Sequence, residues 1–170
     1  MTALAPSFVP AEDVGIRTSA AILVTLDGRY LMQLRDTGQQ TFFPDTLCLF
    51  GGALEEGEDP EAGLRRELRE ELELEAGGIR YFTQLVYDAI YADGTIRQRY
   101  FFEVPIEPGV IDSLVLHEGA AMRLMTADDM AEESFRFVPY DFGILRMHML
   151  LRRKDGRTTA TEDSLSADRS

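Results

Sequence analysis

A single cysteine, Cys48, in a chain of 170 residues excludes an intramolecular disulfide and a cysteine-based zinc site. Set in the apolar run "LCLF", it is read as a buried core thiol. Histidine is almost as scarce. His117 and His148 are the only two, and their separation offers no spacing for a two-histidine metal site or a Ser/His/Asp triad. No stretch approaches the roughly 18 apolar residues that a bilayer crossing needs. The N-terminal "MTALAPSFVPAEDVGIR" has no basic segment ahead of an apolar run, so a cytoplasmic protein without a membrane partner is expected. Positive charge is also short: 17 Lys and Arg face 30 Asp and Glu, a formal net charge of -13. That balance argues against nucleic acid as a partner, because little could neutralise a phosphate backbone. An acidic protein that handles phosphates would need metal ions as intermediaries.

What is present suits one domain with a real core, since 45% of the residues are hydrophobic. "AAILVTL" (20–26), the turn pair Asp27-Gly28 and "RYLMQLR" predict a β-hairpin. A polar loop, "DTGQQTFFPDT", leads to a short strand at "LCLFGG". A second hairpin is predicted from "YFTQLVYDAIY" and "TIRQRYFFEV" about Asp93-Gly94. With those two residues as the turn, Asp88 lies opposite Arg99 as a cross-strand ion pair. A short strand near "AMRLM", a helical turn led by Thr126 and a closing helix from about Pro139 to Arg152 follow. Phe142, Leu145 and Met149 form the expected core stripe of that last helix. The residues after 152 are polar and rich in Ser and Thr and are expected to form a mobile tail.

The densest chemistry lies in "GGALEEGEDPEAGLRRELREELEL" (51–74). Asp59 followed by Pro60 is an N-cap with proline at the first helical position, predicting a helix to about Leu72. Leu64, Leu68 and Leu72 give it a buried edge. Glu67, Glu70 and Glu71, at i, i+3 and i+4, share a neighbouring face. Like charges so placed repel, by tenths of a kcal/mol per pair in an isolated helix, so on the helix alone a solvated acidic face is the simpler reading. Gly52, Glu58 and Arg66 complete a longer pattern: Gly, five residues, Glu, seven residues, Arg-Glu, Leu, one residue, Glu-Glu, two residues, Leu74.

This pattern resembles the Nudix box of the Nudix hydrolase family. Two positions depart from it. Phe50 stands where many relatives have Pro. Glu73 stands where the box has the Gly that helps the helix end in a left-handed conformation, which leaves the helix terminus open, with "AGG" at 76–78 able to supply the break. The resemblance extends over residues 18–152, with 1–17 and 153–170 as extensions, and implies an α/β/α sandwich with a mixed β-sheet between helices. It implies metal-dependent hydrolysis of a diphosphate bond in a nucleoside diphosphate linked to another group, with Mg²⁺, or alternatively Mn²⁺, as cofactor. Glu67, Glu70 and Glu71 are the implied metal ligands, joined by a carbonyl of Gly51 or Gly52. Glu118, before a Gly in the loop entering a late strand, stands where the family often supplies a further acidic residue, as ligand or general base. Arg66 is placed to orient carboxylates, and Glu58 to hold loop and helix together.

Arg35, Arg97 and Arg99 are candidates for substrate phosphate, and Phe42, Phe43 and Tyr91 for stacking on a base. Exposed strand arginines and hairpin aromatics are more often structural. Many relatives form dimers, so a homodimer is compatible with the resemblance. A second function stays open, a Nudix-fold module that senses a nucleotide without cleaving it. Loss of box glutamates would favour that sensor, and all of them are present.

Overall fold

In β1 (Ile16–Thr25) the last eight residues are buried. Ala20, Ile22 and Val24 pack into one cluster, while Ala21 and Leu23 pack into another on the opposite face. A strand covered on both faces must lie inside a sheet with layers on either side. The computed structural model of the chain describes residues 14–38, 43–89 and 93–154, the side chain of Lys154 excepted. Phe42, Tyr91 and most of both terminal extensions lie outside the described residues.

β1 runs parallel to β5 (Ile96–Ile106) and antiparallel to β2 (Tyr30–Leu34). β2 also pairs with β3 (Leu47–Cys48) and β6 (Ala121–Met125), and β4 (Arg80–Asp88) pairs with β5 on its other side. One face of this mixed sheet is covered by α1 (Pro60–Leu72), through Leu64, Leu68 and Leu72. The other is covered by α4 (Pro139–Lys154) and by Met130 of α3 (Ala127–Glu132). A four-residue helix, α2 (Pro108–Ile111), follows β5. The architecture is the expected α/β/α sandwich.

α1 starts as its sequence dictates, with the Asp59 carboxylate accepting the amides of Glu61 and Ala62 (3.0 and 3.1 Å). It ends at Leu72, and the left-handed residue is Glu73 itself, at φ 54°. The Glu73 amide donates to the Arg69 carbonyl and the Leu74 amide to that of Leu68, the paired closure that glycine usually provides. No break at 76–78 is needed, because burial of Leu74 against the α1 core pulls the chain around. A side chain in this conformation costs roughly 1 kcal/mol. Glu73→Gly should therefore raise the thermal midpoint by about 2–4 °C. A lower midpoint would show that the lost contact between Glu73 and His117 (2.8 Å) outweighs the relieved strain.

The second hairpin forms with a different register. Asp88 faces Ile96, and Arg99 faces Leu85. The turn is longer than two residues, closed by hydrogen bonds from the Ala89 amide to Thr95 and from the Gly94 amide to Ala89. An odd shift moves side chains to the opposite face of a sheet, so the expected Asp88–Arg99 pair is absent and Arg99 points toward α4. Its partner is Asp141, at 3.1 Å. The stripe on α4 is correspondingly more polar than expected. Leu145 is fully buried, but its neighbours on the buried line are Asp141, His148 and Arg152, with Phe142 and Met149 only partly covered.

Candidate active site

The box folds into a loop, a helix and a return loop beside β1. The Ser19 amide donates to the Gly52 carbonyl (2.9 Å), the Ala21 amide to that of Phe50 (2.9 Å), and the Leu54 amide to that of Arg17 (2.9 Å). The paired glycines are needed for two separate reasons. At Gly51, φ is +124° and an added Cβ would collide with the Ser19 carbonyl; at Gly52 it would lie 2.6 Å from the Glu67 carboxyl carbon. The first glycine lets the loop approach β1, and the second lets a carboxylate approach the loop. Of the two carbonyls considered as metal ligands, that of Gly52 is engaged by Ser19, leaving the Gly51 carbonyl available.

Arg66 gathers the acidic groups. Its Nε and Nη2 grip both oxygens of Glu58 (3.0 Å each), Nη1 donates to Glu67 (2.8 Å) and Glu70 (3.2 Å), and Nη2 also donates to the Ala53 carbonyl (3.0 Å). Glu58 in turn accepts the Glu55 amide (2.9 Å). A planar guanidinium can satisfy a fork of this kind where an ammonium could not. Glu70 is largely exposed, whereas Glu67 is mostly covered and Glu71 is only 5% exposed.

The Glu71 carboxylate accepts the Gly51 amide (3.0 Å). Burial raises its pKa to about 8, with the charges of Glu118 and Glu67 adding to the effect and Gly51 and Arg99 opposing it. Glu67 is raised as well, first by burial and then by Glu70 and Glu118, against the pull of Arg66. Glu118 is exposed near the C-terminal end of α1. The return loop brings it there. The Val115 amide donates to the Leu72 carbonyl (3.2 Å) and the His117 amide to that of Glu71 (2.9 Å), so the loop caps the end of α1. Gln33 Nε2 then holds the Glu118 carbonyl (3.0 Å), and Gly119, at φ +90°, packs its backbone onto β2.

Hard carboxylate oxygens plus a carbonyl are the donor chemistry that Mg²⁺ and Mn²⁺ take. The buried negative charge here exceeds what Arg66 and the Gly51 amide offset, so the residues fit a divalent cation. Among the described residues, no three acidic, Cys or His side chains already surround a common point. Arg66 and the Gly51 amide hold the oxygens instead.

Of the arginines named from sequence, Arg97 and Arg99 stand on β5 and Arg35 directly follows β2. Arg99 is buried against Asp141, whose other contact is the Leu49 amide (3.1 Å), two residues before Gly51. Arg97 pairs with Asp93 (2.9 Å). Arg35 lies 3.9 Å from the Cys48 sulfur, and its buried Nε has no hydrogen-bond partner. Phe43 meets the Tyr140 ring edge-on, and Tyr140 stacks on Tyr87. Cys48 is buried as expected and donates to Gln33 (3.2 Å), burial pushing its thiol up to about 12. Sequence reasoning missed Asp141 and Gln33. Asp141 could have been found as the residue one turn before Leu145 on the same helix line. Gln33 carried no such signal.

Fold and site together define an α/β/α protein whose loop-helix-loop element sets a carboxylate cluster beside a central strand. The NUDIX domain model matches residues 15–146, and the chain belongs to the NUDIX family. It is 36% identical over 88 residues to the nucleoside triphosphatase NudI of Enterobacter sp. (strain 638), a match covering 49% of this chain and 62% of that protein. Among solved structures, it resembles the E. coli ORF135 protein (TM-score 0.63, 28% identity, 86% of this chain and 97% of that one). It also resembles a bifunctional NMN adenylyltransferase/ADP ribose pyrophosphatase from Francisella tularensis, complexed with AMP and a Mn ion (TM-score 0.61, 19% identity, 86% of this chain and 43% of that one). No helix among the described residues is long and apolar enough to cross a membrane.

Proposed function

We propose that the protein is a divalent-metal-dependent hydrolase, using Mg²⁺ or Mn²⁺, that cleaves a diphosphate bond in a nucleoside diphosphate linked to another group. The observation that carries this reading is that the loop bearing Glu118, remote in sequence, is tied to the box helix by the His117 amide on the Glu71 carbonyl (2.9 Å). Periodicity along α1 could produce an acidic face by itself, but it cannot bring a further carboxylate there. The nucleoside triphosphatase relative and the pyrophosphatase solved with AMP and Mn support the substrate class.

Glu67, Glu70, Glu71 and Glu118, with the Gly51 carbonyl, would hold the cation. When bound, it supplies charge neutralisation for the diphosphate and activation of water for attack. Arg66 fixes the directions of Glu67 and Glu70 while Glu58 fixes Arg66. Glu118, whose backbone carbonyl is held by Gln33, would take a proton from the attacking water. Arg35, Arg97 and Arg99 are proposed to face substrate phosphate. Arg35 is the one whose guanidinium no carboxylate among the described residues holds.

A panel of nucleoside triphosphates, nucleotide sugars and dinucleotides, incubated with Mg²⁺ or Mn²⁺ and scored for phosphate-containing products, tests the activity. Metal-dependent turnover is expected and should vanish with a chelator. Binding of nucleotide without turnover on any compound would instead make the chain a sensor. Within the enzyme, Glu118→Gln should reduce kcat by about 10² or more with KM little changed. Glu132 serves as the control carboxylate; its neighbour Glu133 is gripped by Arg123 (2.6 and 2.7 Å) and would report on that pair instead. Equal activities for Glu118→Gln and Glu132→Gln would remove Glu118 from the mechanism.

A further inference from the structure

The opposite end of the sheet carries charge that the proposed chemistry does not use. Thr25 lies six residues along β1 from Ser19, the residue that holds Gly52, which is about 20 Å of extended strand. A cleft of about 510 Å³ opens there, lined among others by Leu26, Gly78, Ile79, Arg80, Glu103 and Arg152. Its size falls within the range of small-molecule sites.

Among the described residues, the charges lining the cleft do not balance. One oxygen of Glu103 accepts from Arg80 (2.7 Å), while the other contacts His148 Nε2 (2.7 Å), whose Nδ1 meets the Tyr30 hydroxyl (3.0 Å). Burial holds His148 below the usual histidine range, against the pull of Glu103. Arg152 is only 8% exposed. It approaches Glu103 no closer than 3.8 Å, beyond hydrogen-bond length, and its Nε is buried without a hydrogen-bond partner. Two guanidiniums thus face one carboxylate whose oxygens are already engaged, in a chain whose net charge is -13. A buried donor left unsatisfied is costly, and an oxyanion entering the cleft would satisfy it.

We infer that this cleft is a binding site for a small organic anion, its carboxylate or phosphate held by Arg152 and Arg80 and its body laid against Leu26 and Ile79. Glu103 cancels one of the two positive charges, leaving the lining with a positive excess that an anion matches.

The test is an amide NMR titration of the full metal-free chain with benzoate, phenyl phosphate and neutral benzyl alcohol. These probes share an aromatic body and differ in the head group. Saturable shifts at Leu26, Ile79 and Arg80 with at least one anion, and not with the alcohol, are expected. The better binder identifies the head group as carboxylate or phosphate. Arg152→Gln should weaken binding tenfold or more. Gly78→Phe should abolish it by filling the cleft with all the charges retained, since Gly78 lines the cleft and a Cβ added there meets nothing within 4 Å. Both variants should leave turnover unchanged. If Arg152→Gln fails to fold, Arg80→Gln and Gly78→Phe decide the matter. Shifts that do not saturate, that benzyl alcohol reproduces, that survive Gly78→Phe, or that fall only around Gly52 and Glu67 overturn the site.

Discussion

Glu71→Gln should lower turnover by about 10² or more and, in the metal-free protein, raise the melting temperature. The substitution keeps the shape of the side chain and its acceptor for the Gly51 amide (3.0 Å) but removes the charge proposed to hold a cation. Charges of this kind are worth 10²–10⁴ in rate. The stability effect has the opposite sign because a carboxylate only 5% exposed, pressed by Glu67 and Glu118, is a buried charge without full compensation. Its pKa in the folded state is raised, so its contribution to stability is fully present below the ordinary carboxylate value and is lost as pH rises through about 8. Metal-free wild type should therefore lose stability across that window, and Glu71→Gln should lose less. Glu70→Gln should share the loss of turnover without the gain in stability, since Glu70 is largely solvated. Wild-type turnover by Glu71→Gln at saturating Mg²⁺ would remove it from the cation site.

Arg99→Met should be the most damaging single change to folding, lowering the thermal midpoint by about 10 °C. It strips the cation from Asp141, which is 1% exposed and would keep only the Leu49 amide. Breaking a buried ion pair from one side costs about 3–5 kcal/mol, because the remaining charge stays buried. Adding Asp141→Asn should recover most of the loss, since Asn still accepts the Leu49 amide without a net charge. An unchanged midpoint for Arg99→Met would show that the pair contributes nothing. If the double variant regains stability while KM for the diphosphate stays raised, Arg99 also meets the substrate.

Different parts of the molecule were legible to different degrees. The 3.6-residue repeat placed Leu64, Leu68 and Leu72 on one face of α1 and the glutamates beside them, because helix geometry depends only on neighbours in the chain. The Asp59-Pro60 start was equally local. Glu73 is the exception within this segment: the residue type argued against a left-handed cap, but burial of Leu74 imposed one. The β4–β5 hairpin shows the other limit. Asp93-Gly94 is a strong turn signal, yet a longer loop closed between Ala89 and Thr95 and shifted the register. Loop length and strand pairing are set by what the two faces must bury.

By itself the sequence determined the elements, their order, the sandwich and the acidic face of α1, since all of these follow from local spacing and from a long motif. Only the tertiary structure decided that the loop bearing Glu118 closes on the end of α1, that Arg99 turns inward to Asp141, and that Glu103, His148 and Arg152 meet at the far end of the sheet. Each of these placements depends on residues more than forty positions apart, where the packing of strands and loops, and for Arg99 and Asp141 the burial of charge, rather than any local propensity, sets the neighbour.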